Sequence, residues 1–161
     1  MAEAARRPLT SGEVALAREA FGDRIDYDRV RICCGAGGNP AAAIAFLSPA
    51  NDAITLIRTI FCKGEAVGDY CDPAHKGLFM HEMTHIWQYQ TLGVVRFYLR
   101  YAIEFAASKF NARAMYQYQK DDPFAAAKLE AQAEMVRDYG RGGEWRAKAE
   151  KSLAHTGFYG L

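Results

Sequence analysis

The stretch Leu78-Phe79-Met80-His81-Glu82-Met83-Thr84-His85-Ile86-Trp87-Gln88-Tyr89-Gln90, LFMHEMTHIWQYQ in one-letter code, decides how the rest of the chain is read. His81 and His85 stand at i and i+4, so on a helix their Cβ atoms lie ~5–6 Å apart on one face, a spacing at which two imidazoles hold one tetrahedral ion. Glu82 is one residue further round. There it reaches a water on the ion rather than the ion itself, which is the place of a general base. Leu78, Phe79, Met80, Ile86 and Trp87 make the surroundings apolar, and burying two imidazoles and a carboxylate among them is costly unless they share a purpose. The expectation is a helix from about Gly77 to Gly93 that binds one zinc ion.

A catalytic zinc takes three protein ligands and keeps one open position. Gln88 and Thr91 occupy the places where the extended motif has its glycine and third histidine, so the third ligand must come from a later element. Three glutamates compete: Glu104, Glu130 and Glu134. Glu104 shares a helix face with Arg96 and Arg100, and ion pairing one turn away accounts for it without a metal. Glu130 opens the run Glu130-Ala131-Gln132-Ala133-Glu134, whose alanines leave little bulk and let that helix press on the histidine helix. Glu130 is therefore the preferred ligand, with Glu134 one turn on accepting the free N–H of a ligand histidine. Shifting the frame makes Glu134 the ligand and Asp138 its supporter, but sets Arg137 where close packing is needed.

Upstream, Thr10-Ser11-Gly12-Glu13 reads as a capping box that starts a helix ending near Gly22. Val30, Ile32 and Cys34 alternate as in a short strand, and the glycine-rich break after it reads as a turn, lacking the lysine and spacing of a phosphate loop. Residues 42–61 read as two β-rich runs around Ser48-Pro49-Ala50-Asn51-Asp52, a hairpin. Downstream, Val94 to Phe110 reads as a helix whose aromatic content suits a buried or partner-facing surface. Asn111 to Asp121 reads as a connecting loop, and Asp122-Pro123 as the N-cap and first position of a helix running to Gly140. A short basic helix and a glycine-punctuated tail close the chain. The sum is α+β, a single domain over 1–161 with a small antiparallel-containing sheet packed on several helices and residues 1–8 flexible.

Twenty basic and nineteen acidic residues leave a net charge of +1, so no overall field draws the chain to nucleic acid or to a membrane. No apolar run is long enough for a membrane span, and the first ten residues have the form of neither a signal peptide nor an anchor, so a cytoplasmic location is the default, with export by a specialised machine compatible with it. Cys33, Cys34, Cys62 and Cys71 read as reduced thiols, with a Cys62–Cys71 bridge, which would close a short loop, as the alternative, and without a C-x-x-C pair they do not suggest, with His75, a structural zinc.

Beyond these readings, the histidine motif followed by a distant helical glutamate resembles the glutamate-zincin metallopeptidases. Residues 7–32, HEMTHIWQYQ and EAQAEMVRDY together look like small bacterial Vgr-related proteins, zincin-like domains found near secretion-spike and polymorphic-toxin systems. The resemblance covers most of the chain from Arg7 to Tyr139. It implies a zincin-like fold, zinc on His81, His85 and Glu130, and Glu82 as catalytic base. Related patterns more often carry aspartate where this chain has Glu134.

The expected activity is zinc-dependent hydrolysis of peptide bonds in a peptide or protein substrate. The alternative is a catalytically silent, zincin-shaped binding or structural module associated with secretion-spike or toxin-system components. Donors for a tetrahedral oxyanion are sought at Tyr139, His155 and Tyr159. The strand around Ile54 to Ile60 offers an open edge to an extended peptide.

Overall fold

A computed structural model describes residues 6–63, 70 and 72–161. The Thr10 side chain accepts from the Glu13 amide and Glu13 accepts from the Thr10 amide, closing the capping box that starts helix α1, Ser11–Phe21. Strand β1, Arg6–Pro8, precedes it, so residues 6–8 do not belong to a flexible leader: they pair antiparallel with β2, Arg31–Cys34. β2 runs parallel to β4, Thr59–Cys62, which pairs antiparallel with β3, Ala53–Leu56. The order β1-β2-β4-β3 leaves β3 on an edge.

The hairpin is shorter and later than the sequence suggests. Asn39 caps, and Pro40 opens, helix α2, Pro40–Ala45, which takes the first of the two apolar runs. The reversal falls at Ile57-Arg58, where Ile57 holds φ 60, a conformation unusual for a β-branched residue. In β2 it is Cys33, not Cys34, that is fully buried, next to Ile32. Both faces of the central strands are covered: Cys33 and Phe61 pack with Ala42 of α2, whereas Ile32 and Ile60 enter the main core. Simple alternation fails where no face meets water. The possible Cys62–Cys71 bridge involves a residue outside those described; the Cys62 sulfur lies 2.6 Å from the Tyr70 hydroxyl.

The histidine helix α3 spans Pro73–Leu92 and starts a turn earlier than expected, because the Asp72 carboxylate caps the Ala74 amide. Every residue from Phe79 to Ile86 is buried. Helix α4, Val94–Ala107, and the short α5, Ala112–Met115, follow; α5 lies inside the stretch read as a loop. No helix begins at Asp122-Pro123. Asp122 instead accepts from the Gln119 amide at 2.7 Å, Pro123 is extended, and a 3₁₀ turn, Phe124–Ala126, leads to α6, Leu129–Arg141. Helix α7, Gly143–Leu153, and a 3₁₀ turn at Phe158–Gly160 complete the chain.

α6 packs along α3. A Cβ on Gly140 would stand 2.8 Å from the Tyr159 hydroxyl and 3.6 Å from Met80, so the close approach of α6, α3 and the tail depends on a missing methyl. Phe158 seals the far side, its ring packed edge-on against Phe21 and Trp87. Among the described residues no helix is long and apolar enough to cross a membrane.

One buried carboxylate ties the sheet to both helices. Glu13, fully buried, accepts two hydrogen bonds of 2.8 Å from the Arg7 guanidinium of β1 and one of 3.1 Å from the Tyr70 amide just ahead of α3. Burial by itself would raise its pKa, but the Arg7 hydrogen bonds and the Thr10 and Tyr70 amides outweigh it and hold the carboxyl below its ordinary value. Glu13→Ala should therefore lose about 1–3 kcal/mol in urea unfolding at neutral pH, because it takes the acceptor from the Thr10 and Tyr70 amides and one partner from the half-buried Arg7 guanidinium. A group depressed on folding contributes above its unfolded pKa and stops contributing as the pH falls through its folded value, so the variant should also lose less stability on acidification than wild type. Equal stability of the two proteins at neutral pH would contradict this role.

Candidate metal centre

Three side chains from two helices meet at one point. His81 Nε2 and His85 Nε2 of α3 are 3.1 Å apart, and each lies 3.2 Å from Oε2 of Glu130 on α6. All three residues are buried, and among the described residues they form the one group of this kind placed to hold a metal ion. The triangle can be tested against chemistry. Ligand atoms about 2.0–2.1 Å from a tetrahedral zinc stand about 3.3 Å from one another, close to the observed separations.

The neighbours of the histidines set which way their lone pairs point. Gln88, one turn beyond His85, donates its amide N–H groups to the Leu129 carbonyl at 2.9 Å and to Gln132 Oε1 at 3.0 Å. Its own Oε1 therefore faces His85 Nδ1 at 2.8 Å and must accept from it. This leaves His85 Nε2 to present a lone pair towards Glu130. Glu134 Oε1 lies 2.9 Å from Nδ1 of His81, short of hydrogen-bond alignment yet close enough to favour the proton on that nitrogen. Two imidazole lone pairs and a carboxylate oxygen thus converge on one point, an arrangement that could hold a cation.

Electrostatics point the same way. Burial lowers the proton affinity of His81, but Glu130, Glu134 and Glu82 together overcome it and raise its pKa. Glu130 is held well below the usual carboxylate range: burial opposes ionisation, and the two histidines prevail. The same negative field that favours a proton on these imidazoles would favour a dication between them.

Glu82 sits on the adjoining face, its Oε2 accepting a 2.6 Å hydrogen bond from the Thr55 hydroxyl of β3. Both residues line a cavity of about 230 Å³ that also includes His81, His85, Glu130 and the edge strand from Ala53 to Leu56. Its remaining wall is aromatic. Tyr116 stacks on His81 with ring centroids 5.7 Å apart, and burial beside the Glu130 carboxylate pushes the Tyr101 phenol's pKa up.

The expected oxyanion donors lie elsewhere. Tyr159 donates to the Val136 carbonyl at 3.0 Å, Tyr139 packs between Tyr159 and the Arg146 guanidinium, and His155 is exposed near the C-terminus. None of the three lines the cavity; Tyr101 and Tyr116 do. Asp138, supporter in the shifted frame, accepts instead from Tyr118 at 2.7 Å, and Arg137 pairs with Glu134 at 3.1 Å.

Glu104 is not a ligand, but it bears on the site. One of its oxygens takes a 2.7 Å bond from Arg100, and the other accepts at 2.8 Å from the amide of Leu129, the first residue of α6. Arg100 in turn donates to the Ala127 carbonyl at 2.7 Å. The pair caps α6 from a neighbouring helix, one residue before Glu130, where Lys128 provides no cap of its own. Glu104→Ala should speed amide hydrogen exchange in the first turn of α6 by a factor of roughly 2–30, the kinetic equivalent of a lost cap, while exchange in α7 stays as in wild type. Unchanged exchange at Leu129 would remove the cap from this account.

No family model matches the chain. It is 33% identical over 138 residues to the type VI secretion system spike protein VgrG2b of Pseudomonas aeruginosa, an alignment that takes in 84% of this chain and 13% of that protein. The chain thus spans only about an eighth of the length of this relative. In three dimensions it matches the effector domain of Pseudomonas aeruginosa VgrG2b with a TM-score of 0.66 and 29% identity, over 93% of this chain and 83% of that one. In both sequence and fold, this α+β chain is similar to the effector domain of the type VI secretion spike protein VgrG2b.

Proposed function

We propose that the chain is a zinc-dependent peptidase working as an effector in a secretion-spike context. The observation that carries this reading is the convergence of His81, His85 and Glu130, with both imidazoles oriented by neighbours, on the floor of a cavity bordered by Glu82 and an edge strand. Zinc, when bound by these three residues, would supply a Lewis acid that polarises a carbonyl and makes water more acidic.

The chain's own residues do the rest. β3 offers its free edge to an extended peptide, which lays the scissile bond along the cavity. Glu82, steadied by Thr55, takes a proton from the attacking water and returns it to the leaving amine. Tyr101 and Tyr116 are phenols protonated at neutral pH, and they stand where an O–H can meet the tetrahedral oxyanion. A second reading, a silent zincin-shaped module of the spike assembly, draws on the relatives' names, which speak of a spike and an effector domain and not of a reaction. Glu82 argues for chemistry, since a site that only holds helices together needs no base beside its ligands.

Metal analysis and a peptide-library screen separate the two. Wild type and Glu82→Gln should both hold about one zinc per chain, and only wild type should cleave. Zinc in both with cleavage in neither would favour the silent module, and wild type without zinc would sink both readings. Within the metal reading, Glu130→Ala should abolish stoichiometric zinc, while Gln88→Ala should weaken it by about 10–100-fold in a chelator competition through loss of the His85 partner. Affinity unchanged in Gln88→Ala would show that the tautomer of His85 is set by something else.

A further inference from the structure

Helix α4 is inverted. Its polar pair Arg100–Glu104 faces inward, as do Phe97 and Tyr101, while its outward side carries Val95, Leu99, Ala102, Ile103 and Ala106 in one stripe. Val95 is 80% exposed, Leu99 61% and Ile103 60%; Tyr98 flanks the stripe, and Phe110, just past the helix, is 72% exposed. A contiguous run of apolar side chains this exposed marks an interaction surface.

Charge identifies what the surface meets. From Met83 to Lys120 the sequence has five cations, Arg96, Arg100, Lys109, Arg113 and Lys120, and a single carboxylate, Glu104. That carboxylate is turned inward and engaged by Arg100 and the Leu129 amide. The exposed charges of α4, α5 and the loop between them are therefore all positive, with Arg96 towards one end of the apolar ridge and Lys109 and Arg113 at the other. At 14 residues, or about 21 Å, the helix is too short to span a bilayer and of a length to lie flat on one. A second copy of the chain fits poorly, because cations would meet cations across the two-fold with no carboxylate between them.

We infer that the outer face of α4, Val95, Leu99, Ile103 and Phe110 framed by Arg96 and Lys109, docks on an anionic lipid surface. The apolar ridge enters the headgroup boundary while the cations at its ends engage lipid phosphates, as in interfacial amphipathic helices. Tyr98 belongs to both the exposed flank and the cavity lining, so docking sets the cavity mouth beside the bilayer. The inference does not depend on whether the site binds zinc.

Vesicle flotation of the full chain tests it, with phosphatidylglycerol in phosphatidylethanolamine set against phosphatidylcholine alone, and light scattering of the lipid-free protein alongside. Wild type should float with the anionic vesicles and not with the neutral ones. Replacing Leu99 and Ile103 together by Gln should weaken binding at least about tenfold, and replacing Arg96 and Lys109 together by Gln should weaken it about thirtyfold. Trp145→Gln, which removes an exposed aromatic from α7, should bind as wild type and shows that generic stickiness is not at work. Failure to float with anionic vesicles overturns the inference, as does equal binding to neutral ones or insensitivity to both double substitutions. A dimer in light scattering that Leu99→Gln disperses would assign the face to a second copy instead.

Discussion

Helix α3 is buried along its middle, so its polar side chains there depend on other side chains for their fixed partners. That constraint organises the molecule. Four of these side chains face partners: His81 lies beside Glu130 and Glu134 of α6, Glu82 accepts from Thr55 of the edge strand, His85 lies beside Glu130 and Gln88, and Gln88 donates to Leu129 and Gln132 of α6. A buried polar network is tolerable only when every member is matched, because each unmatched group costs on the order of 1–3 kcal/mol. The alanines of α6 and the bare Cα of Gly140 follow from the same demand, since carboxylates reach the histidines only if the two helix backbones come close.

The demand extends to helices that never touch the histidines. α6 begins abruptly at Leu129 with no side-chain cap of its own, and the carboxylate that completes it arrives from α4. This accounts for the inward-facing charges of α4: Arg100 and Glu104 are spent on the start of α6, and apolar residues are left to the outside. The oddity of that surface and the order of the ligand helix share one cause.

What the sequence reveals and conceals follows from how local each signal is. The capping box at Thr10 and Glu13 closes within four residues and is read without error. Two Asp-Pro pairs show the limit. Asp72-Pro73 starts α3, where burial of the following residues rewards a helix, whereas Asp122-Pro123 starts none, because the Asp122 carboxylate turns back to the Gln119 amide. Asn39-Pro40 carries the same signal for α2, and the alanines after it favour a helix, but the apolar run of Ile44, Phe46 and Leu47 masks it. The grouping of His81, His85, Glu130 and Glu134 is legible because helical periodicity places each pair on one face. Thr55, Tyr101 and Tyr116 are not, since their approach depends on how an edge strand and two other helices dock. Gln88 was visible only as the residue standing where a third histidine would be; its part in orienting His85 needed Leu129 and Gln132 in place.

His85 and Glu130 are 45 positions apart, and α4 and α5 make up most of what lies between. In the terms of polymer physics, an ion shared by their side chains closes that segment into a ring. A covalent link across the same span would remove about 4 kcal/mol of conformational freedom from the unfolded chain. A coordinate bond does so only while the ion stays. That segment contains the cavity's aromatic wall and the exposed apolar ridge, so an ion bound by these side chains would restrain both.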